Sequence, residues 1–352
     1  MDSLRIDKKL EVCKRELVEV LGKGIYMSEF CRYDQDDILE PLILASVQKE
    51  SLEFVSGAPG SDNIFIRIRR GLTPEMVRWM IKLLRPEING PVKIAIDGHD
   101  QLTWAEKGNG VVGTEPKLGT HWAYKFLVFK VISGKKEYIV DIVQLFNGSM
   151  TDPSIAALEE LRKEYEIEAV VMDGEFHSVD LLNYCGTQKI NYVVRRPSCA
   201  ALDKLDLKYS NPYRYSELLP LMENGKNEAA VDYFICKFKG RRNKSGETTD
   251  FYLASNMEIP GSKMRRLFRH RWKIETGFRE IKRLRIKTTT KDPLMRMFFY
   301  AIACMVYNIW IRIRLTLRQT FRLNELKTLF IDNIIGYAKA FGLRLKILGL
   351  RK

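Results

Sequence analysis

Between residues 92 and 196, five apolar runs alternate with amphipathic stretches, and this succession limits the fold more than any other feature of the chain. The runs read VKIAID (92–97), WAYKFLVFKVI (122–132), EYIVDIVQLF (137–146), EAVVMD (168–173) and NYVVRR (191–196). Short runs of this kind, rich in β-branched and aromatic residues, are expected as buried strands. Ser133-Gly134-Lys135-Lys136 joins the second and third as a hairpin. Thr151-Asp152-Pro153 starts an amphipathic helix reaching about Tyr165, and a further helix is expected near 177–184. The order is three strands, helix, strand, helix, strand. It predicts an α/β protein with a central mixed sheet flanked by helices.

Two of these runs end in an aspartate, Asp97 and Asp173. In open α/β sheets ligands gather beyond the carboxyl ends of strands, so adjacent strands would bring the two carboxylates together. Aspartate at a strand end is also ordinary turn chemistry, and neither residue alone carries weight. Asp100 and Glu175 lie within three residues of them and are the alternative ligands if the strand ends shift. Gly108-Asn109-Gly110-Val111-Val112-Gly113 matches GxGxxG, but no strand runs directly into it and no helix opens on it, so it is expected as a loop beside Asp97. His99, His121 and Trp122 are further candidates to line a site, the last two better placed to begin a strand and pack.

The segment 262–290, SKMRRLFRHRWKIETGFREIKRLRIKTTT, is expected as a helix with Ser262 as its N-cap. At roughly 100° per residue, Phe268, Arg271, Glu275, Arg279 and Lys282 share an arc of roughly 80°. Leu267, Ile274, Phe278 and Ile281 form the apolar stripe beside it. Glu275 thus stands among cations, where it ionises readily and can ligate a hard divalent metal, while the cations can hold phosphates. Residues 261–318 carry sixteen Lys and Arg against three Asp and Glu, a local +13 in a chain of net +14. Like charges repel, so stability does not call for such a concentration. A polyanionic partner does.

The remaining chain reads as follows. Residues 1–90, net −1, show helical apolar spacing at 7–21, 35–50 and 74–85, with Ile64 to Ile68 alternating like a short strand. They form a helical N-terminal region, a candidate for binding DNA ends. Residues 91–196 are the first part of the core, 197–260 a β-rich insertion whose hairpin turns at Gly240-Arg241-Arg242-Asn243-Lys244, 261–318 the second part of the core, and 319–352 a C-terminal helix. The longest apolar run, Met297 to Ile311, falls short of the ~20 residues of a membrane span and is expected as a buried helix. No membrane partner is expected. Six scattered cysteines without CxxC, and an N-terminus too charged for a signal peptide, fit a reducing cytoplasm.

Phe268, Arg271, Glu275 and Lys282 stand at the spacing Tyr-x2-Arg-x3-Glu-x6-Lys, with Phe in place of Tyr. In this, and in the short IDGHD and MDGEF segments, the chain resembles the DDE transposases of prokaryotic insertion sequences over about residues 90–310. The resemblance implies a ribonuclease-H-like sheet with a β-rich insertion before the helix of Glu275. It implies catalysis by Asp97, Asp173 and Glu275, which would hold two Mg²⁺ ions (Mn²⁺ substituting), with Phe268, Arg271, Arg279 and Lys282 on DNA. It further implies cleavage and strand transfer of double-stranded DNA at terminal inverted repeats and a target, without a small-molecule substrate, by a homodimer on paired ends in the nucleoid. The missing phenolic hydroxyl at Phe268 removes whatever hydrogen bond a tyrosine makes there. A catalytically inactive DNA-binding relative, and a ribonuclease-H-type nuclease without strand transfer, are the alternatives.

Overall fold

The computed structural model describes residues 3–340 except 28–31, 58, 86–87, 106, 109, 135, 200–201, 203, 206, 219–229, 241–247 and 318–321. The basic turn expected at 240–244 therefore lies largely outside the described residues. Helices α1 (Ser3–Gly22), α2 (Gln35–Gln48), α3 (Leu52–Val55), α4 (Ser61–Gly71) and α5 (Pro74–Leu83) precede the sheet. Asp34 caps α2 in a reciprocal box with Asp37, and Thr73 caps α5 with Pro74 at its first turn. The alternation at Ile64, Ile66 and Ile68 does not make a strand. Ile64 and Ile68 are buried while Ile66 is half exposed, which is the i,i+4 spacing of one helix face. A period of two and a period of four coincide over so short a run, and packing chose the helix.

Strands β1 (Val92–Thr103), β2 (Val112–Lys117), β3 (Thr120–Val131) and β4 (Ile139–Leu145) follow, then α6 (Thr151–Arg162), β5 (Ile167–Met172), α7 (Val179–Thr187) and β6 (Asn191–Arg196). Next come β7 (Tyr213–Leu218), β8 (Ala230–Phe238) and β9 (Phe251–Ser255). They form one nine-stranded mixed sheet in the order β2-β3-β1-β5-β6-β9-β8-β7, with β4 also on β3. β1 runs antiparallel to β3 and parallel to β5, and β5 parallel to β6. The residues before the final helices do not break the sheet: β9 pairs with β6 and extends its edge.

Two features differ from the sequence reading. Asp97 is in the middle of β1, not at its end, because Gly98 to Thr103 continue in register against Leu127 to Trp122 of β3. The supposed loop after Gly108 includes β2, whose polar residues are held by the same strand. In both places pairing to a neighbour supplied order that local hydrophobicity did not signal.

The C-terminal part contains α8 (Gly261–Arg269), α9 (Trp272–Lys282), α10 (Pro293–Leu317) and α11 (Leu323–Ala340). The expected single helix from Ser262 is thus two, starting one residue earlier. Across the junction the backbone N–H groups of His270, Arg271, Lys273 and Ile274 bond three residues back, a tightened turn. One apolar cluster unites the N-terminal helices, α9, α10 and one face of the sheet; a second fills the opposite face beneath α6 and α7. α10 is long and apolar enough to span a membrane, yet 94% of its apolar window is buried inside the protein. It is a core helix.

Candidate active site

The sheet itself explains why two aspartates meet. Ala95 pairs with Val171, and both belong to the cluster beneath α9 and α10, while Ile94, Ile96, Val170 and Met172 belong to the opposite one. Side chains alternate along strands, so Asp97 and Asp173, two residues on, emerge level with each other on the α9 side. Gly98 N–H donates to Asp97 Oδ1 at 2.9 Å, and Gly174 N–H to Asp173 Oδ1 at 2.7 Å. These bonds leave each Oδ2 free to face the helix.

α9 brings the third carboxylate. Its position on the sheet is fixed by Lys130 of β3, which is fully buried. The Lys130 ammonium donates to the Lys273 carbonyl at 2.6 Å and to the Tyr307 hydroxyl at 2.9 Å, and pairs with Glu137 at 3.2 Å. Burial pushes its pKa down to about 8. Gly277 permits this approach, since a Cβ there would stand 2.9 Å from the Lys130 nitrogen. The lysine is a staple for the helix.

Arg271, at the junction of α8 and α9, lies at the centre. One terminal nitrogen is 3.3 Å from Asp97 Oδ2 and 3.6 Å from Asp173 Oδ2; the other is 2.8 Å from Glu275 Oε1. Three carboxylates from β1, the end of β5 and α9 therefore converge on one guanidinium that is 8% exposed. Its Nε is buried without a hydrogen-bond partner. Burial pushes the Asp97 carboxyl up to about 7; Arg271 and the Gly98 N–H pull it down, and Asp173 and Glu275 push it further up. Three negative groups share one positive one, and Asp97 carries the strain.

The donors suit a hard divalent cation in kind, being carboxylate oxygens on two strands and a helix. They are drawn around the guanidinium, however. Among the described residues no group of three or more His, Cys, Asp or Glu is gathered as a ready metal shell. The site has the right atoms, with an arginine standing among them.

The other expected site residues are distributed as follows. Arg279 and Lys282 are exposed on α9, and Lys282 lines a cleft of about 640 Å³ together with Asp97 and Asp173. Phe268 is half-buried against the core, its ring 5.5 Å from the Arg271 guanidinium. Arg271 is engaged by carboxylates and is not presented outward. Asp100 and Glu175 line the cleft but have other partners: Thr114 donates to Asp100 at 2.5 Å, and Lys125 pairs with Glu175 at 3.2 Å. His99 is a core residue, stacked on Tyr300 at 4.7 Å, its pKa lowered to about 3 chiefly by burial. His121 and Trp122 contact each other at the start of β3. Sequence reading passed over Lys125 and Lys130. Their signal was two cations inside an otherwise apolar strand.

A family model described as a transposase DDE domain matches residues 131–309, just over half of the chain, a span that includes Asp173 and Glu275 but not Asp97. No curated protein matches the sequence significantly. Among solved structures, the fold is similar to that in the cryo-EM structure of a piggyBac transposase synaptic complex with hairpin DNA. The TM-score is 0.60 at 13% identity, over 99% of this chain and 83% of that one. At such identity the likeness carries the fold alone, a ribonuclease-H-like mixed sheet flanked by helices.

Proposed function

Because the chain belongs to the transposase DDE-domain family, we propose that it is an insertion-sequence transposase that binds terminal inverted repeats and performs magnesium-dependent cleavage and strand transfer. The observation that carries this reading is the convergence of Asp97, Asp173 and Glu275 on one buried guanidinium. A purely structural arginine needs one carboxylate, or two oxygens of one, to balance it. Three indicate a site built to accept more positive charge than the chain supplies.

Asp97, Asp173 and Glu275 would hold two Mg²⁺ ions, with Mn²⁺ able to substitute. Such ions, when bound, supply an activated water or 3′-hydroxyl and charge stabilisation at the leaving oxygen. The chain's own contribution is position and electrostatics, which dominate phosphoryl transfer. The sheet register fixes the two aspartates, and the Lys130 staple fixes the helix that carries Glu275. Lys282 and Arg279, exposed on the same helix, are set to hold phosphates of double-stranded DNA flanking the scissile one. Arg271 balances the carboxylates, and with cations bound to them its charge would be available to a phosphate. One solved structure of similar fold is a transposase synaptic complex with hairpin DNA; pairing of two element ends here calls for a homodimer.

The test is Glu275→Gln on a duplex of the terminal repeat flanking the coding sequence. We expect loss of Mg²⁺-dependent nicking with DNA binding retained. Nicking at the wild-type rate removes Glu275, and the reading built on the convergence, from the chemistry.

A further inference from the structure

The tip of the β2–β3 hairpin carries a residue that the fold does not explain. Lys117 pairs with Thr120, leaving Leu118 and Gly119 as a two-residue loop. Both have positive φ, 50° and 80°. This is the hand of a type I′ turn, in which both central residues occupy the left-handed region and Asn-Gly is the favoured pair. Glycine meets that requirement without penalty. Leucine does not, because its Cβ crowds the backbone there.

Leu118 bears a second penalty. It is 84% exposed, the most exposed large hydrophobic side chain among the described residues. The hairpin under it is firmly tied, by Thr114 to Asp100 at 2.5 Å and by the Thr120 hydroxyl to the Thr103 carbonyl at 2.6 Å. A strained, water-facing leucine on an anchored hairpin stabilises nothing in this chain. Strain kept in place by its surroundings points to a task.

Its location says which. Leu118 and Lys117 line the same cleft as Asp97, Asp173, Lys125 and Lys282. The apolar tip therefore borders the cleft that holds the two aspartates, and lysines line that cleft with it. A lone leucine among lysines offers too little apolar surface to seat a protein, but this is the pattern by which nucleic-acid proteins part a base step while cations hold the backbone.

We propose that Leu118 is a wedge that enters the DNA base stack beside the scissile phosphate, with Lys117 holding the adjacent backbone. This rests on the proposed DNA-cleaving function of the cleft. Leu118 fills a gap between bases that water would otherwise occupy, and so keeps the strand distorted at the point where the carboxylates act.

Full-length protein is mixed with duplexes of the flanking terminal repeat carrying 2-aminopurine singly at positions either side of the cut. The wild type should raise fluorescence at one step next to the cut. Leu118→Asn should lose that rise and nick about tenfold more slowly, while its melting temperature climbs a few degrees as the turn relaxes. Leu118→Met, which keeps an apolar tip, should retain the fluorescence rise. An Asn variant that unstacks and nicks like the wild type overturns the wedge, as does a wild type that nicks with flat fluorescence at every position. Failure of the wild type to nick at all in Mg²⁺ instead overturns the cleavage reading, and the wedge with it.

Discussion

Arg78 and Arg271 both hold carboxylates that project from the sheet, and they are built to opposite plans. Arg78 of α5 meets Asp141 of β4, which is completely buried. Its Nε donates to Oδ1 at 2.9 Å and a terminal nitrogen to Oδ2 at 2.5 Å, while Ile142 N–H adds a bond to Oδ1 at 2.9 Å. One cation faces one anion, both oxygens are used, and the hydrogen bond to Asp141 is the main cause raising the Arg78 pKa. Arg271 faces three carboxylates, none in a fork, and its Nε has no hydrogen-bond partner. The first arrangement is closed. The second has negative charge to spare, and that surplus is what distinguishes a site from a strut.

The comparison is broken or sharpened by substitution. Arg78→Ala should have the largest effect, about 3–5 kcal/mol of destabilisation by chemical denaturation, because it strands the completely buried Asp141 carboxylate without its cation. Mg²⁺ should not restore it. Arg271→Ala should cost less, about 1–3 kcal/mol at pH 8, since Asp173 and Glu275 are partly exposed and can hydrate. Millimolar Mg²⁺ should recover most of that loss in thermal unfolding, and should stabilise this variant more than the wild type, as a ligand that binds only the folded state does. If Mg²⁺ rescues both variants equally, or neither, the two clusters are not different in kind.

Part of the meeting of the three carboxylates was legible in the sequence. Two apolar runs ending in Asp97 and Asp173 could be read there, as could the helix period of 3.6 that sets Arg271 and Glu275 one turn apart. The register of β1 on β5, which sets the aspartates level and on one face, comes from pairing. What could not be read was anything decided by a partner remote in sequence. β1 continues past Asp97 only because β3 lies against it. β2 and β7 are polar and take their order from β3 and β8. The α8–α9 break is local, but no glycine or proline marks it, and it sets Arg271 inward among the carboxylates. Leu118 was invisible for a similar reason: a lysine-leucine-glycine tip has no I′ signature, and its strain exists only once Lys117 and Thr120 are paired.

The smallest expected effect has the most informative sign. In the unfolded chain Asp97 titrates near the ordinary 3.8, and in the folded chain at about 7. Between those values the native state holds a proton that the unfolded state has released, so stability falls as pH rises through this window. Above about pH 7 the penalty is fully present. Asp97→Asn removes the charge and its penalty together while keeping the shape. Without metal it should raise stability by about 1 kcal/mol at pH 8 and flatten the decline between pH 4 and 7. Asp141→Asn, at the closed pair, should do the reverse and destabilise at pH 8, because there the charge is balanced and used by Arg78 and the Ile142 N–H. Opposite signs from one chemical change would establish that the surplus at Arg271 belongs to that cluster and is not a general property of buried carboxylates in this sheet. Equal signs would mean that Asp97 is paired as well as Asp141, leaving the cleft no unmet demand for a cation.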